Sequence, residues 1–389
     1  RITPLKNYLK RLFFSLPLAL FSQAFIGDQL IEMLDRGQSD DIRILITLSD
    51  QLDIDSVRLA WSQDPVALSE RPKLLLEALD AVSRKSQRDI LNFLDQQSLP
   101  YTLERQLIIV NMLALSTPAE SIFELAALPQ VRSIVLDKSP FTLISPVSQE
   151  PATSRDNSSE PGLTVIGAPQ MWELGYTGRG QLAYSVDTGI WPDHPALKKQ
   201  WKGHRFPLEE CWLPWDRLTP GDKSSSHGTH TTGTILGLDS LTNDTIGAAF
   251  NAYFIATDPV VSNLADIRPL SDYAFTYEWC LNPDGDINTS SDVPDAINNS
   301  WGRQPDEESP YCDEAISQIL DILELAGIAN LSSAGNEGPS PQTMSVPHNI
   351  NTNLVNAFTV GSVNGNSISL PISDFSSRGR CALPTITHR

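Results

Sequence analysis

Downstream of about residue 162 the chain alternates short apolar runs with stretches of helical recurrence, and this alternation restricts the fold more than any other feature. The runs fall at Leu182–Val186, 252–256, Ala296–Asn299 and 328–332, with helical segments after His227 and at Glu314–Ala326. Apolar strands separated by helices fold as a parallel sheet with helices on its faces. In an open sheet of this kind ligands bind beyond the carboxyl ends of the strands. Chemistry is therefore expected immediately after each run.

Three segments meet that expectation. The first is Leu182–Val186 followed by Asp187-Thr188-Gly189-Ile190, an acid at a strand end beside a glycine that lets the chain turn. Alone it reads equally as a capped turn. The second, Ser224-Ser225-Ser226-His227-Gly228-Thr229-His230, sets a histidine at a helix start and follows it with small residues. A pair of metal ligands is the alternative, but no Glu lies between His227 and His230 as H-E-x-x-H requires. The third, Ser333-Ala334-Gly335-Asn336-Glu337-Gly338, ends a strand in Gly-Asn-x-Gly. A neutral side-chain amide there suits donation to a developing oxyanion, and a left-handed turn asparagine is the plainer reading.

Taken together, the three segments resemble the aspartate, histidine and oxyanion-asparagine motifs of the subtilisin-like serine peptidases, in the same chain order. The resemblance implies a doubly wound, mostly parallel α/β sheet with helices on both faces, preceded by a small ferredoxin-like α+β propeptide domain. It implies a serine-type endopeptidase acting on polypeptides. Asp187 would orient and support His227, His227 would be general base and then acid, and Asn336 would complete the oxyanion hole. Ser300-Trp301-Gly302 is similar to the family's strand that pairs with the substrate backbone, and Ser333-Ala334-Gly335 to one wall of its specificity pocket. The Ser-Trp-Gly form, with a cysteine shortly before and after, looks closer to the bacillopeptidase F-like branch than to the short secreted subtilisins. The family needs no cofactor for its chemistry. Structural calcium is common in it, but no metal ligands are assigned. An aspartic-peptidase reading of Asp187-Thr188-Gly189 fails for want of a second such motif.

Upstream, residues 41–138 form a compact pattern. Alternation over 42–48 suits a strand, recurrence over 74–97 a helix, 107–115 a second β-rich run, Thr117-Pro118-Ala119-Glu120 a helix start, and 131–136 a last strand. That order fits a ferredoxin-like unit, which the resemblance makes an inhibitory propeptide and an intramolecular partner of the catalytic domain. Residues 139–161 are rich in Ser, Pro, Glu and Asn and read as an exposed linker with a processing site, leaving 162–389 as the catalytic domain. Residues 1–26 place Lys6, Lys10 and Arg11 before an apolar run, the pattern of a secretory signal and not of a stable membrane anchor. The protein is accordingly expected outside the cell.

A net charge of -19 disfavours nucleic acid and anionic membranes as partners. Cys211, Cys280, Cys312 and Cys381 include no C-x-x-C pair, and in an exported protein disulfides are the expectation. Trp191, Trp201, Trp212 and Trp215 are candidates for substrate contact or for core. The family's nucleophile lies in Gly-Thr-Ser-x-Ala, and no such segment follows Asn336. The expectation is a chain cut before the nucleophile and inactive as written, with a catalytically dead peptide-binding homologue as the alternative.

Overall fold

The computed structural model describes residues 24–37, 41–138, 142–143, 160–223, 226–260, 268–302, 314–344, 357–365 and 367–379. In chain order these begin with β1 (Phe25–Ile26), α1 (Asp28–Asp35), β2 (Ile42–Leu48), α2 (Ile54–Gln63), α3 (Arg71–Gln96), β3 (Thr102–Leu107), β4 (Met112–Thr117), α4 (Ala119–Ala126) and β5 (Val131–Leu136). They continue with β6 (Thr142–Leu143), α5 (Pro161–Val165), α6 (Ala168–Glu173), β7 (Leu182–Val186), β8 (Trp212–Leu213), α7 (His227–Leu236), β9 (Leu238–Asp239), β10 (Asp244–Thr245) and β11 (Tyr253–Thr257). The last are α8 (Leu270–Trp279), β12 (Ala296–Asn299), β13 (Trp301–Gly302), α9 (Glu314–Ala326), β14 (Ala329–Ser333) and β15 (Ala357–Val360). They fall into two compact units. One holds the residues up to Asp53 with Glu77–Lys138, the other Ile54–Leu76 with the residues from Ser139 onward.

In the first unit the strands lie in the order β1-β5-β2-β4-β3. β2 is antiparallel to both β4 and β5. The alternation that marks β2 as a strand buries Ile42, Ile44, Ile46 and Leu48, which join Ile90, Leu94, Leu113 and Ile122 in one core. Each such side chain contributes roughly 1.5–3 kcal/mol on burial. Residues 107–115, which read as one β-rich run, are the end of β3, the turn and the start of β4 in a hairpin, with β3 antiparallel to β4. The turn is fixed from α3: buried Gln87 donates through Nε2 to the carbonyls of Leu107 and Met112, at 2.7 and 3.3 Å. Asn111 donates to Ser86 Oγ at 2.8 Å. Polar side chains on a buried helix face thus satisfy main-chain groups that an uninterrupted strand would have paired.

In the second unit the order is β15-β14-β12-β7-β11-β8. All of its pairings are parallel. The chain leaves β7 through α7 to β11 on one side, then crosses to β12, α9, β14 and β15 on the other. The order therefore reverses between β7 and β12, the switch point at which a doubly wound sheet opens a crevice. α2 packs on α9, where Arg58 donates to Asp321 and Glu324 at 3.0 and 2.9 Å. No helix among the described residues is long and apolar enough to cross a membrane.

Two expectations about covalent and terminal features meet a different or undescribed outcome. Cys211 and Cys280 are buried free thiols. Cys280 donates to the Tyr277 carbonyl at 3.1 Å, and burial pushes the Cys211 thiol up to about 12. Both behave as small core residues, while Cys312 and Cys381 lie outside the described residues. The signal reading of 1–26 and the linker 139–161 also fall outside them, apart from residues 24–26, 142–143 and 160–161.

Candidate active site

Asp187 follows β7 directly and is fully buried. Opposite it, α7 opens on His227, which is 7% exposed. The first turn of α7 can approach because residue 228 is glycine: a Cβ there would stand 2.0 Å from the Gly189 carbonyl oxygen and 3.1 Å from Asp187 Cβ. This close seating brings His227 Nδ1 to 2.6 Å from Asp187 Oδ1. The same oxygen accepts the Thr188 N–H at 2.7 Å, and Oδ2 accepts the Thr231 hydroxyl at 3.0 Å.

Three donors hold the carboxylate in one orientation and compensate its burial. Burial lowers the His227 pKa, but the bond to Asp187 and the charges of Asp187 and Asp222 outweigh it, so the imidazole sits above its ordinary 6.5. Asp222 in turn accepts the Thr188 hydroxyl at 2.7 Å and the Thr229 N–H at 2.8 Å. His230 is exposed, so the two histidines of the motif share no environment.

Asn336 follows β14, and since β14, β12 and β7 are parallel, it lies at the same carboxyl rim as Asp187. Its turn is clamped by Ser377. That residue's N–H donates to the Gly335 carbonyl at 3.0 Å, and its Oγ accepts the Glu337 N–H at 3.0 Å while donating to Glu337 Oε2 at 2.7 Å. Gly335 has φ 100° in the left-handed region, and a Cβ there would meet Glu337 Oε2 at 2.4 Å. Ala334 is buried and Ser333 half-buried beside this turn.

Ser300 follows β12 at the same rim, 3.1 Å from the Asn298 side-chain amide. Trp301 is 1% exposed, its ring 5.0 Å from that of Tyr273, so only the backbone of Trp301–Gly302 can pair with another strand. That backbone is already paired. β6 lies antiparallel on it, Leu143 opposite Trp301 and Thr142 opposite Gly302. Of the four tryptophans considered for substrate contact, Trp201 and Trp212 are core, whereas Trp191 is 52% exposed.

Thr188, Thr231, Asp222 and Ser377 were not singled out in the sequence. Thr231 had a usable signal, four residues after His227 on one helix face. Ser377 stands in Asp374-Phe375-Ser376-Ser377-Arg378-Gly379, which resembles a family segment, but nothing local ties it to the glutamate 40 residues away that it holds.

A carboxylate–imidazole pair at the switch point of a doubly wound sheet, with an asparagine turn along the same rim, defines a class. Residues 178–387, more than half of the chain, match the Subtilase family (Peptidase_S8), and the chain belongs to that family. It is 28% identical over 333 residues to Bacillopeptidase F of Bacillus subtilis (strain 168), a match covering 80% of this chain and 22% of that protein. It is 30% identical over 206 residues to Subtilisin E of the same organism, covering 53% and 47%. Against Minor extracellular protease Vpr, also from that strain, it is 28% identical over 213 residues, covering 52% and 23%. The chain thus spans between about a fifth and a half of the length of these relatives. In fold it is similar to the crystal structure of epidermin leader peptide processing serine protease from Staphylococcus aureus. There the TM-score is 0.51 at 13% identity, covering 87% of this chain and 72% of the other.

Proposed function

We propose that this chain belongs to the precursor of an exported serine endopeptidase, with Asp187 and His227 as two triad members and Asn336 as the oxyanion donor. The observation that carries this reading is the 2.6 Å bond from Asp187 to His227 Nδ1. It fixes the tautomer, so that Nε2 is the nitrogen that takes a proton from a nucleophilic hydroxyl and returns it to the leaving amine. The Asn336 amide then stabilises the tetrahedral oxyanion. Polypeptide substrates add as an antiparallel strand to Trp301–Gly302, with Ser300 at its start and Ser333, Ala334 and Gly335 lining the adjacent pocket.

The first unit is read as an inhibitory prosegment. Four of its strands follow the order β5-β2-β4-β3, which supports the ferredoxin-like assignment. The β6 strand on Trp301–Gly302 supports occupation of the substrate edge by the chain itself. Processing within 139–161 would free that edge. Sequencing the amino terminus of secreted active material tests this, and a start upstream of Asp41 would count against it. Export is supported by the apolar run in 1–26 and by the extracellular relative Vpr.

The sequence holds no Gly-Thr-Ser-x-Ala after Asn336, so the chain as given is expected to form no acyl-enzyme. A fluorophosphonate probe should leave this chain unlabelled. It should label a form of the protein carrying that segment, without pepstatin sensitivity. Pepstatin inhibition of that form, or labelling of this chain, would sink the reading.

A further inference from the structure

The helix that opens on His227 is not capped by the residue before it. Ser226 stands at the N-cap of α7 in a left-handed conformation, φ 53°, and its side chain makes no capping bond. The first main-chain N–H groups of a helix have no acceptor within it and must be met from outside. Two of them are met by residues fastened to the Asp187 turn. The Gly228 N–H donates to Thr188 Oγ1 at 3.0 Å, and the Thr229 N–H donates to Asp222 Oδ2 at 2.8 Å.

These two acceptors are joined to each other. The Thr188 hydroxyl that accepts from Gly228 donates in turn to Asp222 Oδ1 at 2.7 Å. The Lys223 N–H donates to the Thr188 carbonyl at 3.0 Å, which fixes the segment carrying Asp222 to the same turn. On the far side the Trp191 N–H donates to the Thr229 hydroxyl at 2.9 Å. His227 is the first residue of α7 and Asp187 directly precedes Thr188, so the helix borrows its caps from the strand end that holds its partner. Any drift between the two would open the 2.6 Å bond from His227 Nδ1 to Asp187.

The bridge also carries charge. A carboxylate at a helix N-terminus is favoured by the macrodipole, and the Asp222 charge adds to that of Asp187 in raising the His227 pKa. Other charged groups around the histidine are engaged elsewhere. The Lys223 ammonium contacts Asp216 and donates to the carbonyls of Asp258 and Val260, at 2.6 and 3.2 Å to the carbonyls. Asp258, at the end of β11, accepts the Trp215 N–H at 2.8 Å, and His230 is exposed.

We infer that Asp222 is a positioning residue for the catalytic histidine: its carboxylate caps α7, ties it to Thr188, sets the imidazole at bonding distance from Asp187 and keeps a second negative charge near it. The assignment rests on the peptidase reading, and its test separates the two. A carboxylate that only capped the helix would change stability and leave the imidazole as it was.

Proton NMR of the full chain reads the site without a nucleophile. In the parent a low-field Nδ1–H proton should mark the bond to Asp187, and the His227 ring should titrate above 6.5. Asp222→Asn keeps an oxygen for the Thr229 N–H and removes the charge, so it should retain that proton while lowering the midpoint, by an amount that shrinks as salt is added. Asp222→Ala should lower the midpoint and also broaden or remove the low-field signal. Thr188→Val, which cuts the bridge and leaves both carboxylates, should weaken the signal, and Thr188→Ser should restore it. In a form bearing the nucleophile segment, Asp222→Ala should lower kcat about tenfold with KM unchanged, and Asp222→Asn should recover most of the loss. The inference is overturned if both Asp222 variants titrate and bond as the parent does, whatever their melting temperatures. A parent lacking the low-field proton would overturn the pairing and this inference with it. Variants that behave as expected by NMR in a longer form that hydrolyses no peptide would support the bridge and sink the peptidase reading.

Discussion

Asp187 and Asp292 are both withdrawn from water, 0% and 1% exposed, at opposite rims of one sheet, yet they are in opposite conditions. Asp187 receives three donors, from His227, Thr188 and Thr231. Asp292 receives one donor and keeps an oxygen unmet. A fully paired buried anion is a fixed part, fit to aim an imidazole. In a half-paired one burial outweighs the single donor, and the carboxyl is pushed up. Burial alone thus does not identify a structural carboxylate; the count of donors does.

The comparison breaks most visibly at Asp187. In a form of the protein bearing a nucleophile segment, Asp187→Asn should lower kcat about 10⁴-fold, because the imidazole loses its tautomer. Steady-state peptide hydrolysis measures it, and a loss below tenfold would end the triad assignment. Next is Gly228→Ala, which puts a methyl 2.0 Å from the Gly189 oxygen and should cost about 3 kcal/mol in urea unfolding of the given chain.

Asp292→Asn should move the other way. It should gain about 1 kcal/mol, since a buried carboxylate with one oxygen unmet is replaced by a neutral amide. A loss would mean that Oδ1 is satisfied in solution. Arg58→Ala removes ion pairs to Asp321 and Glu324, but the side chain is 37% exposed, so the cost should stay under about 1 kcal/mol.

The smallest effect is the pH dependence of the Asp187–His227 pair. His227 titrates above 6.5 in the folded state, so its charge contribution is complete below 6.5 and is lost as pH rises through the folded value. The stability cost of Asp187→Asn should therefore be larger at pH 5.5 than at pH 8.5, as measured by chemical denaturation.

Much of the second unit was legible because its strands are short, apolar and end in chemistry. Leu182–Val186, Ala296–Asn299 and Glu314–Ala326 stand at the positions the pattern indicated. α2 was not singled out: its stripe is only three residues, Ile54, Val57 and Trp61, none of them fully buried, and the exposed Leu59 and Ala60 blur the period. The β3–β4 hairpin was hidden because Asn111 alone interrupts the apolar residues from Leu107 to Leu115, and its polar partners come from α3. Disulfides were expected from export, whereas Cys211 and Cys280 simply fill space.

The two-residue β6 strand has a kinetic consequence. Any peptide that adds to Trp301–Gly302 must displace a segment tethered to the same chain, present at an effective concentration on the order of millimolar. Free peptides at micromolar levels would then be outcompeted at that edge until the tether is severed. A single cut in the connecting segment would turn a permanent occupant into a ligand that dilutes away.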